Sequence, residues 1–197
     1  MECLDVEGAI AWALNRLRTD LSPDLIYHNL WHTKHDVIPA ARRLARHSDR
    51  SKEESDLLQV AAAFHDVGFV EVYEGHEQRG AQMAGEVLPR HGFSAQQVAA
   101  VQGMILATAL PQSPQNSLEA LLADADLDVL GRDDFFERNQ ALREELLLRG
   151  EEIPLEEWYA AQLRFLQEHS YFTPAARALR LATKEANMAR LKQLLKA

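Results

Sequence analysis

A chain of 197 residues that is 47% apolar suits one globular unit, and no apolar run approaches the roughly 20 residues that a membrane helix needs. Its 21 Lys and Arg against 30 Asp and Glu leave a formal charge of -9, the wrong sign for gripping a long nucleic acid along a broad surface. The single cysteine, Cys3, excludes an intrachain disulfide and a cysteine-rich zinc site, which leaves any metal to His, Asp and Glu.

Met1-Glu2-Cys3-Leu4-Asp5 begins acidic and runs into an amphipathic segment, whereas a secretory signal begins basic and continues apolar, so the expected compartment is the cytoplasm. From Val6 to Leu17 apolar residues recur at three-four spacing, which predicts a helix with one buried face. Leu21-Ser22-Pro23-Asp24 breaks it, and after Tyr27-His28-Asn29 a second helical pattern runs through Val37, Ala40, Ala41 and Leu44. His28 and His32 flank its start, and His35-Asp36 reads as a solvated pair in the first turn.

Ser51-Lys52-Glu53-Glu54 has the form of a capping box, and the helix after it is apolar nearly all round until Phe64-His65-Asp66-Val67-Gly68. Gly68 suits the helix exit, and Val67 to Tyr73 reads as a loop because the chain offers no strand partner. His76 opens a helix that stops near His91-Gly92, and Ser94 to Gln97 caps the next, through Ile105. Pro111 and Pro114 bracket a polar loop, and Ser117 begins a helix that carries Asp124 and Asp126 and ends near Gly131. Three more charged helices follow, Phe135 to Arg149, Pro154 to Glu168, and a last one opened by Thr173-Pro174 and reaching Lys196. The expectation is an all-α, single-domain bundle of about nine helices over 1–197, with a polar core of about 25–131 and a C-terminal helical extension of about 132–197.

His65 and Asp66 end an apolar run, where burial without a partner is costly, and further imidazoles and carboxylates edge the other hydrophobic segments. Two imidazoles with two carboxylates suit one divalent cation. Adjacent helical residues point about 100° apart, so the doublet serves one ion only at a helix end or a distortion. A hydrogen-bonded structural pair is the plainer reading of the doublet taken alone. His47, His91 and His169 sit by charges or turns and read as surface groups; Trp12, Trp31 and Trp158 read first as packing, with Trp31 near enough to His32 to line a pocket.

His32, then His65-Asp66, then Asp126 resembles the ordered ligand pattern of the HD-domain superfamily of metal-dependent phosphohydrolases. Phe64 to Phe69, His76-Glu77 with Gly80-Ala81, Ile105 to Thr108, and Asp124 to Leu127 with Gly131 extend the likeness over most of the chain to its predicted-phosphohydrolase subgroup. The resemblance implies an HD-like all-α fold and metal ligation by His32, His65, Asp66 and Asp126. Asp124 is the rival for the last ligand, and with Asp126 preferred at the Ala-Asp-Leu position it takes a supporting role behind the ligands.

Tyr27-His28-Asn29 is also similar to a short motif of cyclic-nucleotide phosphodiesterases, which makes His28 the candidate general acid. Asp66 would orient the attacking water, Glu77 is a further base, and His76 and Trp31 are candidate substrate contacts. Ala109-Leu110-Pro111-Gln112 lacks the histidine that two-metal members carry there, so one divalent ion (Mn, Mg, Co, Ni, Zn or Fe) is expected. The function expected is hydrolysis of a small phosphomonoester, nucleotide or cyclic nucleotide, with no long nucleic acid and no membrane as partner. The competing readings are a non-catalytic metal- or nucleotide-binding regulatory module and a di-iron HD-type oxygenase.

Overall fold

The computed structural model describes residues 4–196. Cys3 and most of the acidic start, on which the disulfide and compartment readings rest, lie outside them. Among the described residues the chain is 73% helical, with nine α-helices and no strand. Among these residues no helix is long and apolar enough to cross a membrane.

Helix α1 (Val6–Asp20) opens on the Asp5 carboxylate, which accepts from Gly8 N, and buries Ala9, Ala13 and Leu17. A π-helical turn over His32–Val37 leads into α2 (Ile38–His47). Helix α3 (Lys52–Phe64) starts at the Ser51–Glu54 capping box and packs against α1, α2, α5 and α6. Its central position explains the all-round apolar pattern. Leu58 and Phe64 are fully buried, each worth about 2 kcal/mol relative to exposure. The central helix thus delivers the His65-Asp66 doublet from the middle of the bundle.

Helices α4 (His76–Val87) and α5 (Ala95–Leu106) pack on each other, and α6 (Ser117–Asp126) packs on α2, α3 and α5. The stretch expected as a loop after the doublet contains a 3-10 turn over Val67–Val70. Gly68 is needed there for close approach, not as a left-handed helix exit. A Cβ on Gly68 would lie 1.9 Å from the His76 carbonyl oxygen, and one on Gly80 would lie 3.0 Å from that of Phe64. The two glycines let the doublet's turn settle against the start of α4.

The α6 helix stops at Asp126, and a 3-10 turn over Asp128–Gly131 replaces the longer helix expected. Helices α7 (Phe135–Leu148), α8 (Leu155–Glu168) and α9 (Pro174–Leu194) complete the chain. They share a small apolar cluster of Val129, Leu130, Phe135, Leu166 and Leu191. Asp128, buried, ties the segments together by accepting from Arg43 of α2 and Arg180 of α9.

Candidate metal centre

The centre is assembled from the π-turn, the end of α3 and the end of α6. Asn29 opens the π-turn, its Oδ1 accepting from Trp31 N at 2.9 Å and His32 N at 3.1 Å. Buried His32 keeps its Nδ1 3.4 Å from Asp36 Oδ2 and its Nε2 3.6 Å from Asp126 Oδ1 and 3.9 Å from Asp66 Oδ2. Asp36 is therefore not the solvated residue expected. Arg132 donates to it and the Arg138 guanidinium stands 3.3 Å away, and these cations make its burial tolerable while it holds the His32 ring. His35 is exposed, as read from sequence.

His65 Nδ1 lies 2.8 Å from the Ala62 carbonyl, which only accepts, so Nδ1 carries a proton and Nε2 is the nitrogen left for another partner. That nitrogen faces Asp66 Oδ2 at 3.1 Å and Asp126 Oδ1 at 3.4 Å. His65 Nε2 and Asp66 Oδ2 are both buried without a hydrogen-bond partner. Two such electron-rich atoms facing each other in a low-dielectric interior repel unless a cation or a further proton lies between them. Burial disfavours a charged His65 ring, yet Asp66 and then Asp126 outweigh it and hold its pKa well above the ordinary histidine range. In the same way burial raises the carboxylates, but the imidazoles beside them prevail, taking Asp66 well below its usual range and Asp126 to about 2.

One ligand atom from each of His32, His65 and Asp66 lies within 4.8 Å of the others, and Asp126 Oδ1 is within reach of both rings. A donor set of imidazole nitrogens and carboxylate oxygens without sulfur suits a divalent cation such as Mn, Zn, Fe, Co or Ni. The orphaned pair of atoms fits such an ion.

Asp124 is elsewhere. Its carboxylate accepts from Phe172 N and Thr173 N, both at 2.8 Å, and from Thr173 Oγ1 at 2.6 Å, so it anchors the start of α9 and does not support the ligands. His76 points Nε2 at Asp66 Oδ1 from 3.7 Å and is steered by Nδ1 donating to the Tyr73 carbonyl. Glu77 lies 3.6 Å from that same Nδ1, the ring nitrogen that does not face Asp66. Phe69 stacks on His76 at 3.6 Å between centroids and on His28 at 4.7 Å, packing against both rings. Trp31 is 47% exposed and packs under the Arg138 guanidinium and beside His35, a covering side chain on the outer face of the π-turn.

His28 is held by a residue that sequence reasoning missed. Glu145 of α7, fully buried, accepts from Tyr27 N at 2.7 Å, His28 N at 3.0 Å, His28 Nδ1 at 2.6 Å and Tyr73 OH at 3.2 Å. In the chain it is one acid in the charged run Arg143-Glu144-Glu145, without a local signal. His91 pairs with Asp5 and His47 is exposed, as surface groups should be, but His169 buries both ring nitrogens.

Residues 36–128 match the family model of the HD domain. That segment is an HD domain. The matched segment holds His65, Asp66 and Asp126, while His28 and His32 lie just ahead of it and Glu145 beyond it. The HD domain is that of a superfamily of metal-dependent phosphohydrolases. No curated protein and no solved structure matches the chain significantly.

Proposed function

We propose that this HD-domain chain hydrolyses a small phosphomonoester, nucleotide or cyclic nucleotide, with one divalent cation held by His32, His65, Asp66 and Asp126. The observation that carries the reading is the facing pair His65 Nε2 and Asp66 Oδ2, buried and without hydrogen bonds. A divalent cation in such a site supplies Lewis acidity toward a phosphoryl oxygen and activates water for attack.

The remaining work falls to the chain's own groups. Asp66 and Asp126 accept hydrogen bonds from the attacking water and fix its direction. His28 gives its Nε2 proton to the leaving oxygen, and Glu145 holds the ring through Nδ1 so that Nε2 faces outward from the buried carboxylate. The three most enclosed ligands lie beneath the surface, while Asp126, His28 and His76 have side chains 20%, 22% and 19% exposed. Substrate therefore approaches past these three, with His76 its contact on the Phe69 side. With a net charge of -9 the surface favours a small anion drawn to the local cation over a polymeric one.

The test is metal-stripped protein restored with Mn, Co, Ni or Mg and assayed on phosphomonoesters, nucleotides and cyclic nucleotides. Turnover that needs one of the metals is expected. Full metal loading with no turnover on any ester would instead identify a binding module.

A further inference from the structure

Both partly exposed histidines beside the metal centre, His28 and His76, are tied to one residue of the segment that follows the doublet. The Tyr73 carbonyl accepts from His76 Nδ1 at 3.0 Å. The Tyr73 hydroxyl donates to Glu145 Oε1 at 3.2 Å, the same oxygen that holds His28 Nδ1 at 2.6 Å. Resting on His28 as the acid of the proposed hydrolysis, we propose that Tyr73, braced by Arg149, is a positioning residue that limits how strongly Glu145 holds the His28 ring.

The carboxylate has little freedom of its own. It is fully buried, and its Oε2 accepts from two backbone N–H groups, Tyr27 at 2.7 Å and His28 at 3.0 Å. Burial alone would favour the protonated acid, but the bond from His28 and then the backbone N–H groups prevail and hold Glu145 below its ordinary range, an ionised acceptor. With Oε2 filled, the grip on His28 is decided at Oε1. Two donors on one oxygen compete, so the hydroxyl takes up part of the negative charge that would otherwise act on His28 Nδ1 alone. An imidazolium gains more from a charged acceptor at Nδ1 than the neutral ring does, so too tight a grip there hinders departure of the Nε2 proton.

The hydroxyl is kept in place by the packing of its ring. Arg149, which caps the end of α7, lies one turn beyond Glu145 on the same helix face, and its guanidinium carbon stands 3.5 Å over the Tyr73 ring. Phe69 meets that ring edge-on with 5.1 Å between centroids. Burial, and then the Glu145 charge, hold the Tyr73 phenol above its ordinary range, so it remains a donor. Helix α7 thus supplies both the carboxylate that holds the acid and the cation that holds its competitor.

The experiment follows the His28 Nδ1 proton by NMR in the full chain, a readout that needs no turnover, alongside kinetics on metal-loaded protein. Tyr73→Phe keeps the ring beneath Arg149 and removes only the hydroxyl. Its His28 Nδ1 resonance, assigned by its absence from His28→Ala, should move downfield, as a stronger bond to Glu145 requires. On an ester with a poor leaving group kcat should fall about three- to tenfold, the worth of one hydrogen bond, with KM unchanged and no loss on a p-nitrophenyl ester. Arg149→Leu, at an exposed position of low folding risk, should move the resonance the same way by less, and Arg149→Lys should keep most of the wild-type position. A resonance that stays in place, moves upfield or is lost to exchange in Tyr73→Phe would overturn the proposal, as would equal losses on both esters or an unmoved resonance in Arg149→Leu. If the wild type turns over no ester while the resonance still shifts, the hydrolysis reading fails and the effect of Tyr73 on the Glu145 bond stands.

Discussion

At His65 the Nδ1 proton is engaged by the Ala62 carbonyl, so only Nε2 is left for a partner, and the nearest group is a carboxylate oxygen that needs a cation or a proton between them. His65→Ala and Asp66→Ala should therefore each abolish stoichiometric metal while the helical circular dichroism persists, as metal analysis of the purified variants would show. Full metal content in both variants would make the doublet structural. His28 differs, since its Nδ1 is occupied by Glu145 and it belongs to no ligand pair. His28→Ala should keep its metal and lose about 10²–10⁴-fold in turnover on an ester with a poor leaving group, with a much smaller loss on a p-nitrophenyl ester, which needs little protonation. Equal losses on both, or loss of metal, would remove the acid role. The doublet was legible in the chain because it interrupts an apolar run. Asp36 and Glu145 were not, because each looks like an ordinary helix-surface acid until Arg132, 96 residues away, or His28, 117 residues away, folds against it.

Among the elements, the α-helices were legible from three-four spacing and caps, and Ser51, Ser94 and Thr173 all accept the predicted backbone N–H groups. The π-turn over His32–Val37 was not, since Asn29, Asp36 and the arginines that anchor Asp36 create it together and no window of sequence contains them all. Asp124 and Asp126 share one helix end and divide its tasks. Asp124 receives three donors from the start of α9, and Asp126 faces the imidazoles. Asp124→Ala should cost about 1–3 kcal/mol in urea unfolding, because it strands buried donors and loosens a helix start, and should leave metal content unchanged. Asp126→Ala should do the reverse, lowering metal affinity with a small effect on the urea midpoint. If Asp124→Ala also loses its metal, the two residues are coupled and the division fails.

For the molecule as a whole, acid sensitivity has a named contributor in His169, whose pKa of about 4 lies below the ordinary 6.5. Between those values the unfolded chain takes up a proton that the folded chain refuses, so this contribution to stability is complete above about pH 6.5 and is lost as pH falls toward 4. The stability difference between wild type and His169→Phe should therefore shift against the wild type over that window and stay level above pH 7, as urea titrations at several pH values would show. A parallel pair of curves would contradict the buried, neutral ring. Metal saturation of the intact chain should reach one tight equivalent; two would place a second ion by His76 and Asp66, which lie 3.7 Å apart. One consequence concerns the order in which the molecule matures. Every proposed ligand lies between His32 and Asp126, whereas the carboxylate that orients His28 arrives only with α7. Contacts over such sequence separations close late. A growing chain would be able to load its ion before it gained an oriented acid, so that capture of the metal precedes the ability to turn over an ester.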